Sequence, residues 1–298
     1  MASHNISKVA VVGAGQMGGG IAQVAAVAGF TTLVFDAFPG AIGKCRSLHE
    51  KLLARAVEKQ KLTQADADKA KERLIYTESM DDLRGADILI EAIVEDAQAK
   101  KDLFAKAAGL IADGGMLASN TSSISITELA TAVGGGLGGG AHGDLQSRFI
   151  GMHFFNPVPV MKLVEVIKGL ATSEETTART IALAEAMGKT PVPANDRPGF
   201  VSNRVLMPLI NEAFYAWMEG VAEPAHIDEI MKLGCAHPMG PLRLADFIGL
   251  DTCVHIMDVL ADGLNNPRYR ACPLLKQLVT AGRLGDKTGR GVYEYPSK

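Results

Sequence analysis

One junction constrains the fold more than any other. Residues Lys8 to Val12 form a short, almost wholly apolar run. It passes without a gap into Gly13-Ala14-Gly15-Gln16-Met17-Gly18. A strand with no polar alternation is of the kind buried on both faces of a parallel sheet. The three glycines that follow have distinct duties. Gly13 permits a tight turn, Gly15 lets a ligand approach the backbone, and Gly18 lets a helix pack closely on the strand. A helical pattern runs from Gly20 to Ala28, and Gly29 ends it. Its N-terminus offers unpaired N–H groups and a positive dipole end to a phosphate. Thr31 to Phe35 reads as a second strand, closing at Asp36, about twenty residues beyond the glycines. Strand, glycines, helix, strand and acid together make a dinucleotide fingerprint in its required context. Gly13, Ala14, Gly15, Gln16, Met17, Gly18 and Asp36 are then cofactor-binding residues. An acid at position 36 accepts the two ribose hydroxyls and repels a 2′-phosphate, which favours NAD over NADP. Its other reading is a solvated strand end.

Downstream the αβ alternation continues. Helical patterns cover Ala41 to Lys61, Thr63 to Arg73 and Ala97 to Ile111. Strand patterns cover Leu74 to Thr77, Asp87 to Glu91 and Met116 to Ser119. The first helix carries Lys44, Arg46, Lys51, Arg55, Lys59 and Lys61, either a solvated face or part of a site for a phosphate-rich ligand. Thr63, with Asp66 three residues on, reads as a helix cap. The strand ending at Ser119 opens into Asn120-Thr121-Ser122-Ser123. The carboxyl ends of strands are where doubly wound sheets bind ligands. The other reading is a cap for a helix starting near Ile126, which Ser123 or Ser125 could serve alone.

A second polar feature lies on two further strands. Arg148 to Met152 leads into His153-Phe154-Phe155-Asn156-Pro157, and Lys162 to Ile167 carries Glu165. A His at a strand end beside a strand bearing Glu makes a general base with its tautomer fixed. On this stretch alone, a core His with a solvated Glu is the more ordinary reading.

Asn195 to Phe200 is turn-rich, and the patterning changes there. From Val201 onward it is helical: Val201 to Gly220, His226 to Leu233, Leu244 to Leu264 and Pro273 to Ala281. The expected fold is α/β: an N-terminal Rossmann-like doubly wound sheet over residues 1–195, then an all-helical C-terminal domain over 196–298. The helix carrying Met207, Leu209, Ile210, Phe214 and Trp217 has enough apolar surface to pack on a second copy, or on the first domain. The chain has 298 residues and net charge −3. That length accommodates two domains, and the charge shows no basic surplus for nucleic acid. The N-terminus has no apolar signal core, so a cytoplasmic protein is expected, and no apolar run spans a membrane. Cys45, Cys235, Cys253 and Cys272 are scattered, which fits reduced thiols and no metal site. The run Gly134 to Gly143 is low-complexity, reads as a loop and receives no function.

These motifs together resemble the 3-hydroxyacyl-CoA dehydrogenase family, most of all its short, stand-alone bacterial 3-hydroxybutyryl-CoA dehydrogenases. The resemblance covers nearly the whole length. It rests on the glycine fingerprint, Ala118 to Ser123, His153 to Pro157, Pro198 to Val201 with Asn203-Arg204, His237 to Pro241, Asp246 to Asp251 and Gly285 to Gly291. It implies that His153 takes the 3-hydroxyl proton as hydride leaves carbon 3 for the nicotinamide. Glu165 would orient His153 and stabilise its imidazolium, while Ser122 and Asn203 bind the reacting oxygen. It further implies that Glu95, Lys100, Asn156 and Lys287 line the NAD site, with Ser122 shared between ligands. A coenzyme A tail would lie along the basic helix, within reach of Ser47, Lys51 or Arg55. The implied protein is a homodimer through the helical domain, with no fused hydratase and no metal.

Two other functions stay open at this level. One is an NAD-dependent dehydrogenase of a non-CoA hydroxy acid or sugar acid, as in the gulonate branch. The other is a non-catalytic NAD-binding protein, since fold does not settle function.

Overall fold

The computed structural model describes residues 5–134 and 145–296. Contacts divide the chain into two compact units, Met1–Asp196 and Arg197–Lys298. The Gly-rich run, beyond Gly134, lies outside the described residues.

The first unit is built on one eight-stranded sheet. Its strands are β1 (Lys8–Val12), β2 (Thr31–Phe35), β3 (Leu74–Thr77), β4 (Ala86–Glu91), β5 (Ile111–Ser119), β6 (Phe149–Phe154), β7 (Leu163–Lys168) and β8 (Thr190–Asn195). The order is β3-β2-β1-β4-β5-β6-β7-β8. The first six strands are parallel, β7 runs antiparallel to β6, and β8 is parallel to β7. The order reverses between β1 and β4, which opens a crevice at their carboxyl ends. Val9, Val11, Ile88 and Ile90 are fully buried, as strands covered on both faces require. This is the doubly wound architecture that the sequence patterns specify.

Helices α1 (Gln16–Val27), α2 (Ala41–Glu58), α3 (Gln64–Arg73), α4 (Ala97–Ala107), α5 (Ile126–Ala130) and α6 (Glu174–Ala186) flank the sheet. On α1, Ile21, Ala22, Ala25 and Ala26 repeat at helical spacing and are fully buried against the sheet. Thr63 caps α3, its hydroxyl accepting from the Asp66 N–H and donating to the Asp66 carboxylate. Ser125 caps α5, so one of the serines read as caps has that duty. Strand β5 starts earlier than its apolar core suggests. Ala86 pairs with Ile111 and Ile88 with Met116, so an irregularity around Gly114 and Gly115 lets polar residues join the strand.

The second unit contains α7 (Ser202–Met218), α8 (Pro224–Gly234), α9 (Pro241–Ile248), α10 (Leu250–Gly263) and α11 (Pro273–Thr280). The pattern read as one helix from Leu244 to Leu264 is in fact two. Gly249, at φ 105°, ends α9 and starts α10. Apolar periodicity continues on both sides of the break, so the sequence conceals it; an L side chain rarely adopts that φ. Met207, Ile210 and Phe214 of α7 are buried in the helical unit's own core, with Leu242, Leu250, Leu260 and Leu275. Of the other two apolar residues read from the sequence on this helix, Trp217 packs partly buried against that core and Leu209 is half-buried. Buried Asp228 and Asp246 accept from backbone N–H groups and from the hydroxyls of Tyr293 and Tyr295, which fixes the last segment of the chain. Among the described residues no helix is long and apolar enough to cross a membrane.

Candidate active site

The glycine turn follows β1 directly. Gly13 sits at φ 105°, and a Cβ there would meet the Ala92 oxygen at 2.4 Å. A Cβ on Gly18 would lie 1.8 Å from the Gly13 oxygen. These two glycines are required by the fold itself. Gly15 is different: a Cβ there meets nothing within 4 Å among the described residues. Gly15 is the N-cap of α1, and no side chain caps the helix. An open approach over a bare helix N-terminus fits a pyrophosphate. Asp36 follows β2 and faces the turn. Its carboxylate accepts from the Ala14 N–H at 2.7 Å and the Phe38 N–H at 2.9 Å. A carboxylate has about four lone-pair sites, so two such bonds leave capacity for ribose hydroxyls. The residues present fit a dinucleotide.

Beside the turn, at the carboxyl end of β4, lies a charged network. Glu91 is fully buried, and its carboxylate accepts from the Lys100 ammonium at 2.5 Å, the Ser119 hydroxyl at 2.6 Å and the Ile93 N–H at 2.7 Å. Burial pushes the Glu91 carboxyl up, with the Lys100 charge opposing. Lys100 is 1% exposed and also reaches Glu95 at 3.2 Å. Glu95 gathers the Ser119–Ser123 loop: its Oε1 accepts from the Thr121 hydroxyl at 2.6 Å, the Ser122 N–H at 2.8 Å and the Ser122 hydroxyl at 3.1 Å. Burial alone would raise this carboxyl. The Lys100 charge and the Thr121 and Ser122 bonds outweigh it and hold Glu95 below the usual carboxylate range. The structure thus joins Glu95, Lys100 and Ser122 in one array. Glu91, Ser119 and Thr121 are also members, and nothing in the sequence marks Glu91 out beyond its place at a strand end.

At the carboxyl end of β6, two strands over, His153 pairs in register with Glu165 of β7. Because β7 runs antiparallel, it enters the sheet from the end at which β6 leaves it. The His153 Nδ1 lies 2.7 Å from the Glu165 Oε2. Both residues are buried, and the Phe155 ring lies 4.5 Å from the imidazole. An ionised carboxylate only accepts, so Nδ1 carries the proton and the neutral ring keeps its basic lone pair on Nε2. The connection after His153 is tied to its surroundings. The Asn120 side-chain Oδ1 accepts from the Phe154 N–H at 2.9 Å, and the Gln16 side-chain amide donates to the Asn156 Oδ1 at 2.9 Å. Two residues expected at the cofactor, Gln16 and Asn156, therefore touch each other. Asn120 holds the strand end next to His153, a position the sequence reading grouped only with its serine neighbours.

The remaining expected residues divide. Asn203 is buried in the first turn of α7, and Lys287 pairs with Asp251 at 2.6 Å; both belong to the second unit. Ser47 and Lys51 on α2 line a shallow groove with Gly40 and Lys44. Arg55, one turn on, belongs to another groove of about 580 Å³, floored by Val24, Val27 and Leu62 and rimmed by Lys59, Lys61 and Lys162.

Comparison with known proteins covers both units. Residues 8–197 match the family described as 3-hydroxyacyl-CoA dehydrogenase, NAD binding domain. Residues 199–295 match 3-hydroxyacyl-CoA dehydrogenase, C-terminal domain. A Bacillus subtilis protein named probable 3-hydroxybutyryl-CoA dehydrogenase is 53% identical over 293 residues, 98% of this chain and 99% of the relative. The 3-hydroxybutyryl-CoA dehydrogenase of Bradyrhizobium diazoefficiens is 46% identical over 97% of this chain and 96% of its own. The crystal structure of a (S)-3-hydroxybutyryl-CoA dehydrogenase from Ralstonia eutropha superposes with a TM-score of 0.92 at 47% identity, covering 98% of this chain and 100% of that one.

Proposed function

The chain belongs to the 3-hydroxyacyl-CoA dehydrogenase family, and on that premise we propose that it interconverts (S)-3-hydroxybutyryl-CoA and acetoacetyl-CoA with His153 as the acid–base group. The chain is an NAD-dependent enzyme of the 3-hydroxyacyl-CoA dehydrogenase type. The observation that carries the acid–base assignment is the His153–Glu165 pair at 2.7 Å.

The nicotinamide, when bound, accepts or returns the hydride. The residues of this chain do the rest. In oxidation, the hydroxyl of the substrate gives its proton to the His153 Nε2 while carbon 3 gives up its hydride, and a carbonyl results. In reduction, the imidazolium returns that proton to the oxygen. Glu165 holds the ring and stabilises the imidazolium through the Nδ1–H bond. The Ser122 hydroxyl, with Asn203, is proposed to bind the reacting oxygen. Gly15 and the α1 N-terminus are proposed to hold the pyrophosphate and Asp36 the ribose, with Glu95, Lys100, Asn156 and Lys287 around the cofactor.

The coenzyme A tail is proposed to follow α2. The groove holding Arg55, with its apolar floor and basic rim, suits an anionic nucleotide better than the shallow one at Ser47 and Lys51. The first unit would then carry cofactor and catalytic pair, and the helical unit is proposed to serve substrate binding and dimerisation. Val201, Val205, Met218 and Val221 are exposed on the second unit and offer apolar surface for a second copy.

The test is acetoacetyl-CoA-dependent NADH oxidation by the wild type and by His153→Ala. The variant keeps NADH binding and loses turnover if the assignment is right. Near-normal turnover in H153A overturns it.

A further inference from the structure

We infer that Lys189 is a positioning residue for the reaction, locking the connection between the two strands of the His–Glu pair onto the nucleotide-binding helix. Lys189 follows α6 and is 8% exposed. Its ammonium donates to the Val158 carbonyl and, at 2.9 Å, to the Met161 carbonyl. It has no carboxylate partner among the described residues. An ammonium taken out of water without a counter-ion is costly unless strong hydrogen bonds replace its hydration. Burial and the neighbouring Lys162 charge accordingly lower its pKa. A methionine would fill the same volume without that cost. The ammonium's distinctive contribution is to give donors to two backbone carbonyls of a single loop.

That loop is the one between His153 and Glu165. Val158, near its middle, is 2% exposed and packs directly on α1: a Cβ on Gly20 would lie 2.8 Å from the Val158 Cβ. Two residues earlier, Asn156 accepts from Gln16 in the first turn of the same helix. One side of the loop is therefore fastened to α1, the helix whose N-terminus fits the pyrophosphate. Lys189 fastens the same loop a second time. The loop cannot move away from Lys189 without breaking two charge-assisted bonds, nor toward α1 without collision at Gly20. His153 is consequently held at a fixed distance from the nucleotide helix. Hydride transfer needs that distance, since a misplacement of about 1 Å can cost roughly a hundredfold in rate.

This inference rests on the reading of His153 as the acid–base group, and the experiment separates the two. Lys189→Met removes the donors at nearly constant volume; Lys189→Arg keeps donors and charge. For each, NADH affinity is measured by fluorescence titration, and kcat and the primary isotope effect are measured with NADH deuterated at the transferred position, all per folded molecule. The expected result for K189M is a kcat lower by roughly ten- to a hundredfold, a weakened NADH Kd and an altered isotope effect, with K189R recovering most of the loss. Wild-type Kd, KM and isotope effect, with activity falling only as the folded fraction falls, would make Lys189 merely structural and overturn the inference. Should K189M not fold, Lys189→Gln, shorter and neutral, carries the same readouts with the same expected and overturning results. The Kd arm needs no turnover, so it judges the lock even if H153A proves fully active.

Discussion

Replacing Glu165 separates what orients His153 from what stabilises its charge. In Glu165→Gln the amide oxygen still accepts from Nδ1, but the negative charge is gone. In Glu165→Ala both are lost. The Nδ1–Oε2 separation is 2.7 Å; for unit charges at that distance and an effective dielectric near 20, Coulomb's law gives about 6 kcal/mol. That is a ceiling, because the imidazolium charge is spread over the ring and water partly replaces a lost partner. A hydrogen bond to a charged group contributes about 1.5–3 kcal/mol net. At 1.36 kcal/mol per tenfold, E165Q should lower kcat by roughly 10- to 150-fold. E165A should lose more, because the Nδ1 hydrogen bond that orients the ring is lost as well. Neither should change NADH affinity, since the pair lies on β6 and β7 and the glycine turn on β1. The assay is steady-state NADH oxidation with saturating acetoacetyl-CoA, alongside fluorescence titration of NADH. An E165Q enzyme within about twofold of wild type in kcat, where the charge-assisted bond predicts tenfold or more, would refute the claim that this carboxylate stabilises the imidazolium.

Other perturbations should behave as follows. Gly15→Ala should fold normally, because open space surrounds its Cβ, yet bind NADH poorly; Gly18→Ala, with its Cβ at 1.8 Å from the Gly13 oxygen, should fail to fold or melt many degrees lower, so the two melting curves settle the assignment. Asp36→Ala should weaken NADH and narrow the preference over NADPH, read as the ratio of kcat/KM values; an unchanged ratio would show that Asp36 does not read the ribose. Because the Glu95 carboxyl is held below its ordinary value, its stabilising contribution is present above the ordinary carboxylate range and is lost as pH falls through the lower folded-state value. The gap in melting temperature between wild type and Glu95→Gln should therefore be widest near neutrality and close in acid. A gap that widens in acid would contradict the direction.

The glycine turn and the acid after β2 are legible because their signals are local. Gly13, Gly15, Gly18 and Asp36 lie within one β–α–β unit, where spacing along the chain sets spacing in space. His153 and Glu165 are visible as a possible pair, but the reversal of β7 that puts them in register depends on how one strand enters a sheet already formed, and no residue type encodes that. The Glu91–Lys100 pair is concealed for a different reason. Both are charged side chains at element ends, where solvent is the usual partner, and their burial follows from the docking of α4 beside β4 and β5. Lys189 is concealed in the same way, reading as a surface lysine after a helix until the loop from Phe155 to Lys162 folds over it. The break at Gly249 is masked because a glycine within a helical pattern is usually tolerated. Ser47, Lys51 and Arg55 share one helix yet face two grooves, a distinction that depends on what packs beside α2.

The most direct measurement is the loss of NADH absorbance with acetoacetyl-CoA, run beside NADPH, free acetoacetate and gulonate. Rapid oxidation of NADH that requires the CoA thioester is expected, with little activity on NADPH or the free acids. NADH binding without turnover of the thioester, or turnover of a free acid in its place, would contradict the proposed function.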